Sequence, residues 1–141
     1  MIKELMIIDK AGIALFYHNF IKNEKLDDEQ SLASYFDIIC RFTKNSFKES
    51  LRTLVLDSFL FFFYTHKMNY HLVLKCENKN FDKKKLEKIS ELIIHSFLTH
   101  YKDILEDFNG DISHFRSFSK KLIEIIKTDF KDFIGISYIE H

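Results

Sequence analysis

The sequence predicts an α/β (α+β) protein with one five-stranded antiparallel sheet and three helices, in the order ββαβββαα. Five short runs carry apolar residues in strand-like patterns, three longer segments carry them at helical spacing, and the connections between them are short. The 141 residues include no proline and only three glycines, which leaves no flexible linker. We therefore expect one domain over residues 1–127 and a C-terminal tail over residues 128–141.

The first two runs form a predicted hairpin. Residues 5–8 are apolar at consecutive positions, which is typical of a strand covered on both faces. Residues 9–12, which end in Gly12, supply a tight turn, and residues 13–17 return as the second strand. We expect residues 18–27 to form a loop.

A helix is predicted over residues 29–45, with Asp28 as its N-cap. It carries two apolar stripes, and two stripes on one helix indicate two packing partners. The stripe expected to face the core consists of Leu32, Phe36, Ile39, Cys40 and Phe47. The second stripe consists of Tyr35, Ile38 and Phe42.

Three strands and two helices complete the prediction. Residues 51–56, 59–65 and 70–75 form an antiparallel meander because their connections are short, and the strand 59–65 is central because it is apolar on both faces. A helix over residues 83–105, capped by Asn80 or Asp82, buries Leu86, Ile89, Ile93, Phe97, Tyr101 and Ile104. A helix over residues 112–127 buries Phe115, Phe118, Leu122, Ile125 and Ile126, and residues 130–139 fit either a further helical turn or an apolar tail.

Composition excludes several functional classes. The formal net charge is zero, with 21 basic and 21 acidic residues, whereas nucleic-acid binders carry a basic excess. The strongest apolar run, residues 58–64, is far shorter than the roughly 20 residues of a membrane span. The N-terminal apolar run is also too short for a signal peptide. Two cysteines do not make a disulfide scaffold, so we expect a reducing, cytoplasmic location.

Residues with catalytic or metal-binding chemistry do not form a recognisable motif. The seven histidines have no metal-ligand spacing, and His95 and His100 lie on different sides of their helix. Cys40 belongs to the core stripe, no glycine-rich phosphate loop occurs, and no serine has a nucleophile-elbow context. We predict no catalytic residue, no cofactor and no metal, and no hydrolytic activity, including on GTP.

Local basic clusters leave two interpretations open. They are Lys83, Lys84, Lys85 and Lys88, and Lys120, Lys121 and Lys127. Such clusters are usually solvated faces of amphipathic helices. The alternative is contact with anionic lipid headgroups or an acidic partner.

Three short motifs resemble the longin/roadblock superfamily, the profilin-like domains of membrane traffic and small-GTPase regulation. They are residues 7–13 (IIDKAGI), residues 42–47 (FTKNSF), and Gly110 and Asp111 followed by Phe115 and Phe118. The resemblance covers roughly residues 1–127. It implies the strand order 2-1-5-4-3, with the first helix on one face of the sheet and the later helices on the other.

The second stripe of the first helix carries the prediction of an interface. In roadblock-like proteins the first long helix and the neighbouring edge strand commonly form a dimer seam, so the resemblance implies an interface at Tyr35, Ile38, Phe42, Leu51, Thr53 and Val55. Exposed edge strands readily pair with another chain. The alternative is that the loop 18–27 or the tail 130–139 covers the stripe.

These observations favour a non-catalytic adaptor over two other functions. The adaptor would bind a small GTPase, a longin/roadblock-type subunit or a second copy of itself, and no nucleic acid. Peripheral membrane contact through these partners is a further expectation. A profilin-like or PAS-like ligand-sensing domain would instead show a large apolar cavity between sheet and helix. A small enzyme would show a cleft with strongly shifted titratable groups.

Overall fold

The computed structural model describes residues 1–21 and 28–130, and its centre is a five-stranded antiparallel sheet. The strand order is β2-β1-β5-β4-β3, which confirms the predicted order and places β2 and β3 at the edges. The strands are β1 (Ile2–Ile8), β2 (Ala14–Asn19), β3 (Thr53–Val55), β4 (Phe59–Thr65) and β5 (His71–Glu77).

The helices within these residues are α1 (Glu29–Phe47), α2 (Lys83–His100), α3 (Lys102–Glu106) and α4 (Phe118–Asp129), with a 3-10 turn at Ile112–Phe115. Asp28 caps α1 by accepting from the backbone N–H groups of Gln30 and Ser31. Asp82, one of the two predicted caps, accepts from Lys85 N–H at the start of α2. No helix of this described part is long and apolar enough to cross a bilayer.

The two faces of the sheet bury separate apolar clusters, as alternation along the strands requires. Leu5 and Ile7 of β1 belong to the larger cluster, which α2 and α4 cover. Met6 and Ile8 belong to the smaller cluster, which contains Ala33, Phe36 and Cys40 of α1. One helix therefore covers one face and the later helices cover the other, as predicted.

The helix predicted over residues 83–105 is broken at Tyr101, which corrects the prediction. The backbone of Tyr101 leaves the helical region (φ −109°, ψ 19°), and its ring is buried against Phe97 and Phe115. The Tyr101 hydroxyl lies 2.8 Å from Oγ of Ser117. This hydrogen bond satisfies the polar group of a buried side chain, and the turn of the backbone at Tyr101 accompanies it.

Other element boundaries also shift. His18 and Asn19 belong to β2 rather than to a loop, and β3 has three residues rather than six. The predicted helix 112–127 begins as the 3-10 turn, because Asp111 accepts from the N–H of Ser113, and α4 starts at Phe118. Phe130, just after α4, is buried in the larger cluster, whereas the predicted tail beyond it lies outside the described residues.

The β1–β2 turn is closed by hydrogen bonds to one side chain. Oδ1 of Asp9 accepts from the backbone N–H groups of Ala11 and Ile13, each at 2.9 Å. Gly12 adopts φ +82°, a conformation that residues with a Cβ rarely adopt. A Cβ at Gly12 would also lie 3.1 Å from Oδ2 of Asp37, so the turn packs directly against α1.

Two alanine substitutions separate backbone strain from this close packing. Gly110 also has positive φ (+94°), but nothing lies within 4 Å of a Cβ built on it. We expect Gly110→Ala to lower the free energy of unfolding by about 1 to 2 kcal/mol through backbone strain. Gly12→Ala should cost about 1 kcal/mol more, because its methyl group crowds Asp37. Urea unfolding measures both, and equal losses would contradict the close contact.

Candidate interaction surface

The outward side of α1 exposes large apolar side chains. The exposed fractions are 50% for Tyr35, 63% for Ile38 and 62% for Phe42. On the opposite side of the helix, Phe36 and Cys40 are buried against the sheet. No other residue in the described part of the chain covers the outward stripe enough to bury it. The loop and tail that were considered as covers lie largely outside the described residues.

Phe47 was predicted to face the core, and this prediction is wrong. Its side chain is 65% exposed, although its helical position matches that of Cys40. Between Arg41 and Phe47 only Thr43 is even partly buried, so the last turns of α1 extend past the core beneath them. Phe47 instead contacts Phe42 edge-on, with ring centroids 6.2 Å apart. Phe47 therefore extends the exposed apolar side of α1, which we call the α1 face: Tyr35, Ile38, Phe42 and Phe47.

The edge strand β3 adds to this exposed surface. Val55 is 57% exposed and Leu56, which follows it, is also exposed. Within the described residues β3 pairs only with β4, so its outer side is open. Thr53 is half-buried, and Leu51 packs partly against the smaller cluster beneath α1. Of the six residues predicted for the interface, four are thus well exposed, and Leu51 contributes mainly to packing.

α1 is held firmly enough to present a fixed surface. The Phe36 ring lies 4.9 Å from that of Phe61 and 5.5 Å from that of Phe63, measured between centroids. The Gln30 side chain accepts from Ala14 N–H at 3.0 Å and donates to the Ala14 carbonyl at 3.1 Å. Ring packing and this two-way amide contact fix the helix to both the centre and the edge of the sheet.

A buried polar group lies on the inner side of α1. Oδ2 of Asp37 lies 3.0 Å from Nε of Arg41, whose guanidinium also donates to the carbonyl of Lys10. Oδ1 of Asp37 faces Nε2 of His71 at 3.7 Å, and Nδ1 of His71 lies 3.0 Å from Oγ1 of Thr65. Burial lowers the pKa of His71, and the Asp37 carboxylate opposes that shift.

This Asp–His–Thr arrangement has the residue types of a hydrolase triad but not its geometry. The 3.7 Å separation of Asp37 and His71 exceeds hydrogen-bond distance. Thr65 and His71 are direct cross-strand neighbours at the β4–β5 hairpin, so their contact follows from strand register. We interpret Asp37, His71 and Thr65 as a structural contact between α1 and the β4–β5 hairpin. Arg41 extends this contact to the β1–β2 turn.

The space between the sheet and α1 is filled. A pocket lined by Leu32, Phe36, Phe61 and Val73 holds only about 20 Å³, room for one water molecule. The ligand-sensing alternative requires a large apolar cavity at this place, and small-molecule pockets measure roughly 300 Å³ or more. A larger cleft, described below, opens at the end of the helix and is lined mainly by polar side chains.

The cysteines and histidines show no arrangement for catalysis or metal binding in the described part of the chain. Burial, reinforced by the Asp37 carboxylate, raises the pKa of Cys40 to about 11, and burial raises the pKa of Cys76 to about 12. Both thiols are therefore protonated at neutral pH and poorly nucleophilic. Among these residues no three His, Cys, Asp or Glu side chains are placed to hold a metal ion.

Comparison with solved structures identifies the fold. The gliding protein MglB from Thermus thermophilus is similar with a TM-score of 0.51 and 16% identity, over 62% of this chain and 70% of that one. The chain has a longin/roadblock-like fold. MglB of Myxococcus xanthus matches with a TM-score of 0.47 and 17% identity, over 64% of this chain and 77% of that one. No family model matches the sequence, and no curated protein matches it.

Thiol accessibility gives a direct test of the buried cysteines. At pH 8 and in native conditions, we expect a chromogenic disulfide reagent to label neither Cys40 nor Cys76 within minutes, because both thiols are buried and have raised pKa values. In denaturing urea both should react at once. Cys40→Ser and Cys76→Ser identify the thiol responsible for any native reaction. Rapid native labelling of either cysteine would contradict the burial described here.

Proposed function

We propose that the chain is a non-catalytic protein-interaction domain, an adaptor or subunit in small-GTPase regulation or membrane trafficking. The observation that carries the proposal is the α1 face, four large apolar side chains exposed on one helix, beside the open edge strand β3. Large exposed apolar patches mark protein interfaces in soluble proteins. The two free, buried cysteines support a reducing location, the cytoplasm.

The proposed partner at the α1 face is a second copy of this chain or another longin/roadblock-type subunit. Burying one large apolar side chain contributes about 1.5 to 3 kcal/mol, so the four side chains of each protomer supply enough to offset the cost of association. In a two-fold dimer every contact occurs twice. Pairing of β3 with its counterpart would satisfy the open backbone groups at that edge.

Small-GTPase regulation is proposed from two observations together: the fold, and the lack of a catalytic arrangement among the described residues. The fold similarity to a gliding protein and the resemblance to longin/roadblock domains favour regulation of a partner over chemistry on a substrate. Fold alone does not determine function, so this step is an analogy. It is supported by the protonated thiols, the filled space under α1 and the non-catalytic geometry around His71.

The substitution Ile38→Asp tests the interface. It removes the apolar contribution of Ile38 from both protomers and places a carboxylate where a partner surface would bury it. We expect the dissociation constant of the dimer to rise at least about a hundredfold, with an unchanged circular dichroism spectrum. Light scattering over a range of concentrations measures the association.

Leu92→Asp is the matched control. Leu92 is an exposed leucine on α2, on the opposite side of the sheet from α1, so the same charge there should leave association unchanged. A wild-type protein that stays monomeric at high concentration would rule out the homodimer. The remaining possibility would be a dimer with a different longin/roadblock-type subunit. An unfolded Ile38→Asp variant with a folded Leu92→Asp variant would place Ile38 in the core instead.

Nucleotide-dependent capture tests the regulatory part of the proposal. The immobilised full chain is incubated with native lysate to which either GDP or a non-hydrolysable GTP analogue has been added, and bound small GTPases are identified. We expect one of them to bind in only one nucleotide state. The isolated chain should turn over no GTP by itself. GTP turnover by the chain that a single point mutation abolishes would overturn the non-catalytic assignment.

A further inference from the structure

A cleft of about 410 Å³ with a mixed polar and apolar lining opens beside the C-terminal half of α1. Four segments far apart in sequence form it: the β1–β2 turn, the inner side of α1, the residues that lead into β3, and the β4–β5 hairpin. Its volume is within the range of small-molecule sites. The cleft shares Leu51 with the residues predicted for the interface but contains no residue of the α1 face, so it requires an explanation of its own.

Three basic side chains, Lys10, Arg41 and Lys44, line the cleft. Within the described residues neither lysine ammonium forms an ion pair. The one acidic side chain in the lining is Asp37, whose Oδ2 lies 3.0 Å from Nε of Arg41. Its Oδ1 is buried 3.7 Å from Nε2 of His71 and accepts no hydrogen bond from the described residues. The charge of Arg41 is therefore balanced by Asp37, and the two lysines leave the cleft with a positive excess.

Hydrogen-bond donors surround this charge. Among the described residues, Arg41 uses two of its five N–H groups, on Asp37 and on the Lys10 carbonyl, and leaves three without a protein partner. The lining also contributes the side chains of Asn45, Ser50 and Asn69. A guanidinium and two ammonium groups on residues that line one pocket match the charge and acceptor oxygens of a phosphoryl group.

We propose that this cleft binds a small soluble phosphate monoester, with the phosphoryl group held by Lys10, Arg41 and Lys44. The cleft is larger than a phosphate ion alone. The lining also includes Leu51, Cys40 and Asn69, which suit a small organic group with both apolar and polar parts. The proposal is independent of the GTPase and dimer proposals, because it uses a different side of α1.

Titration of the isotope-labelled full chain by NMR tests the site. The probes are inorganic phosphate and adenosine monophosphate, with sodium chloride at matched ionic strength as the reference. We expect saturable shifts at the Lys10 and Asn69 amides and at the Arg41 Nε–H group. The pair Lys10→Gln and Lys44→Gln together should weaken binding at least about tenfold, because each lysine supplies a charge-assisted contact. Lys44→Gln alone should give an intermediate loss.

Lys48→Gln is the matched control. Lys48 lies at the same end of α1 but donates to the Asn45 carbonyl and does not line the cleft, so this substitution should leave binding unchanged. Tighter binding of adenosine monophosphate than of phosphate supports an organic monoester. If both probes bind equally tightly, the site recognises only the phosphate group. That result overturns the proposal that the ligand carries an organic group. Shifts that chloride reproduces, or that persist in the double variant, overturn the site.

Discussion

A single helix covers one whole face of a sheet whose central strands are apolar on both sides, and this constraint shapes the rest of the molecule. On the other face α2 and α4 share the covering, and their apolar stripes are largely buried. α1 has no neighbouring helix among the described residues, so only its inner residues, such as Phe36 and Cys40, reach the core. Its second apolar stripe has no surface among the described residues to pack on, and burying it requires another molecule or another segment.

The contacts of Asp37 explain how α1 keeps its position over that face. A buried carboxylate is costly unless it is paired, and Arg41 supplies the pairing from one turn further along the helix. Arg41 also reaches the Lys10 carbonyl, and Gly12 lets the same turn approach Asp37 closely. The turn, the helix and the β4–β5 hairpin therefore meet at one point. The basic cleft opens beside this point, where α1 extends past the core.

The strands of the sheet could be predicted from the sequence. The features that depend on contacts between distant residues could not. The strands could be predicted because two-sided apolar runs differ from edge runs in the residues themselves. Their order was implied by the resemblance to longin/roadblock domains, and the two-sided runs agree with it. The break at Tyr101 could not be predicted, since Phe97, Tyr101 and Ile104 keep helical spacing across it. The exposure of Phe47 was missed because periodicity gives a direction around the helix, not the point where the core ends. No local spacing relates Lys10, Lys44 and Asn69, so the cleft was not predicted.

The geometry of α1 keeps the apolar stripe and the cleft apart. At about 100° per residue, Arg41 and Lys44 lie within roughly 40° of Asp37 around the helix axis, whereas Tyr35, Ile38 and Phe42 lie roughly 100° to 160° away. Phe47 is the exception, since it lies roughly 80° from Asp37 on the side of Cys40. A partner on Tyr35, Ile38 and Phe42 therefore does not close the cleft, and an anion in the cleft does not block that partner. Both sites nevertheless depend on one rigid helix whose inner side is fixed by Asp37. Loss of that anchor should disturb both sites together, whereas changes at Ile38 or at the two lysines should each affect one.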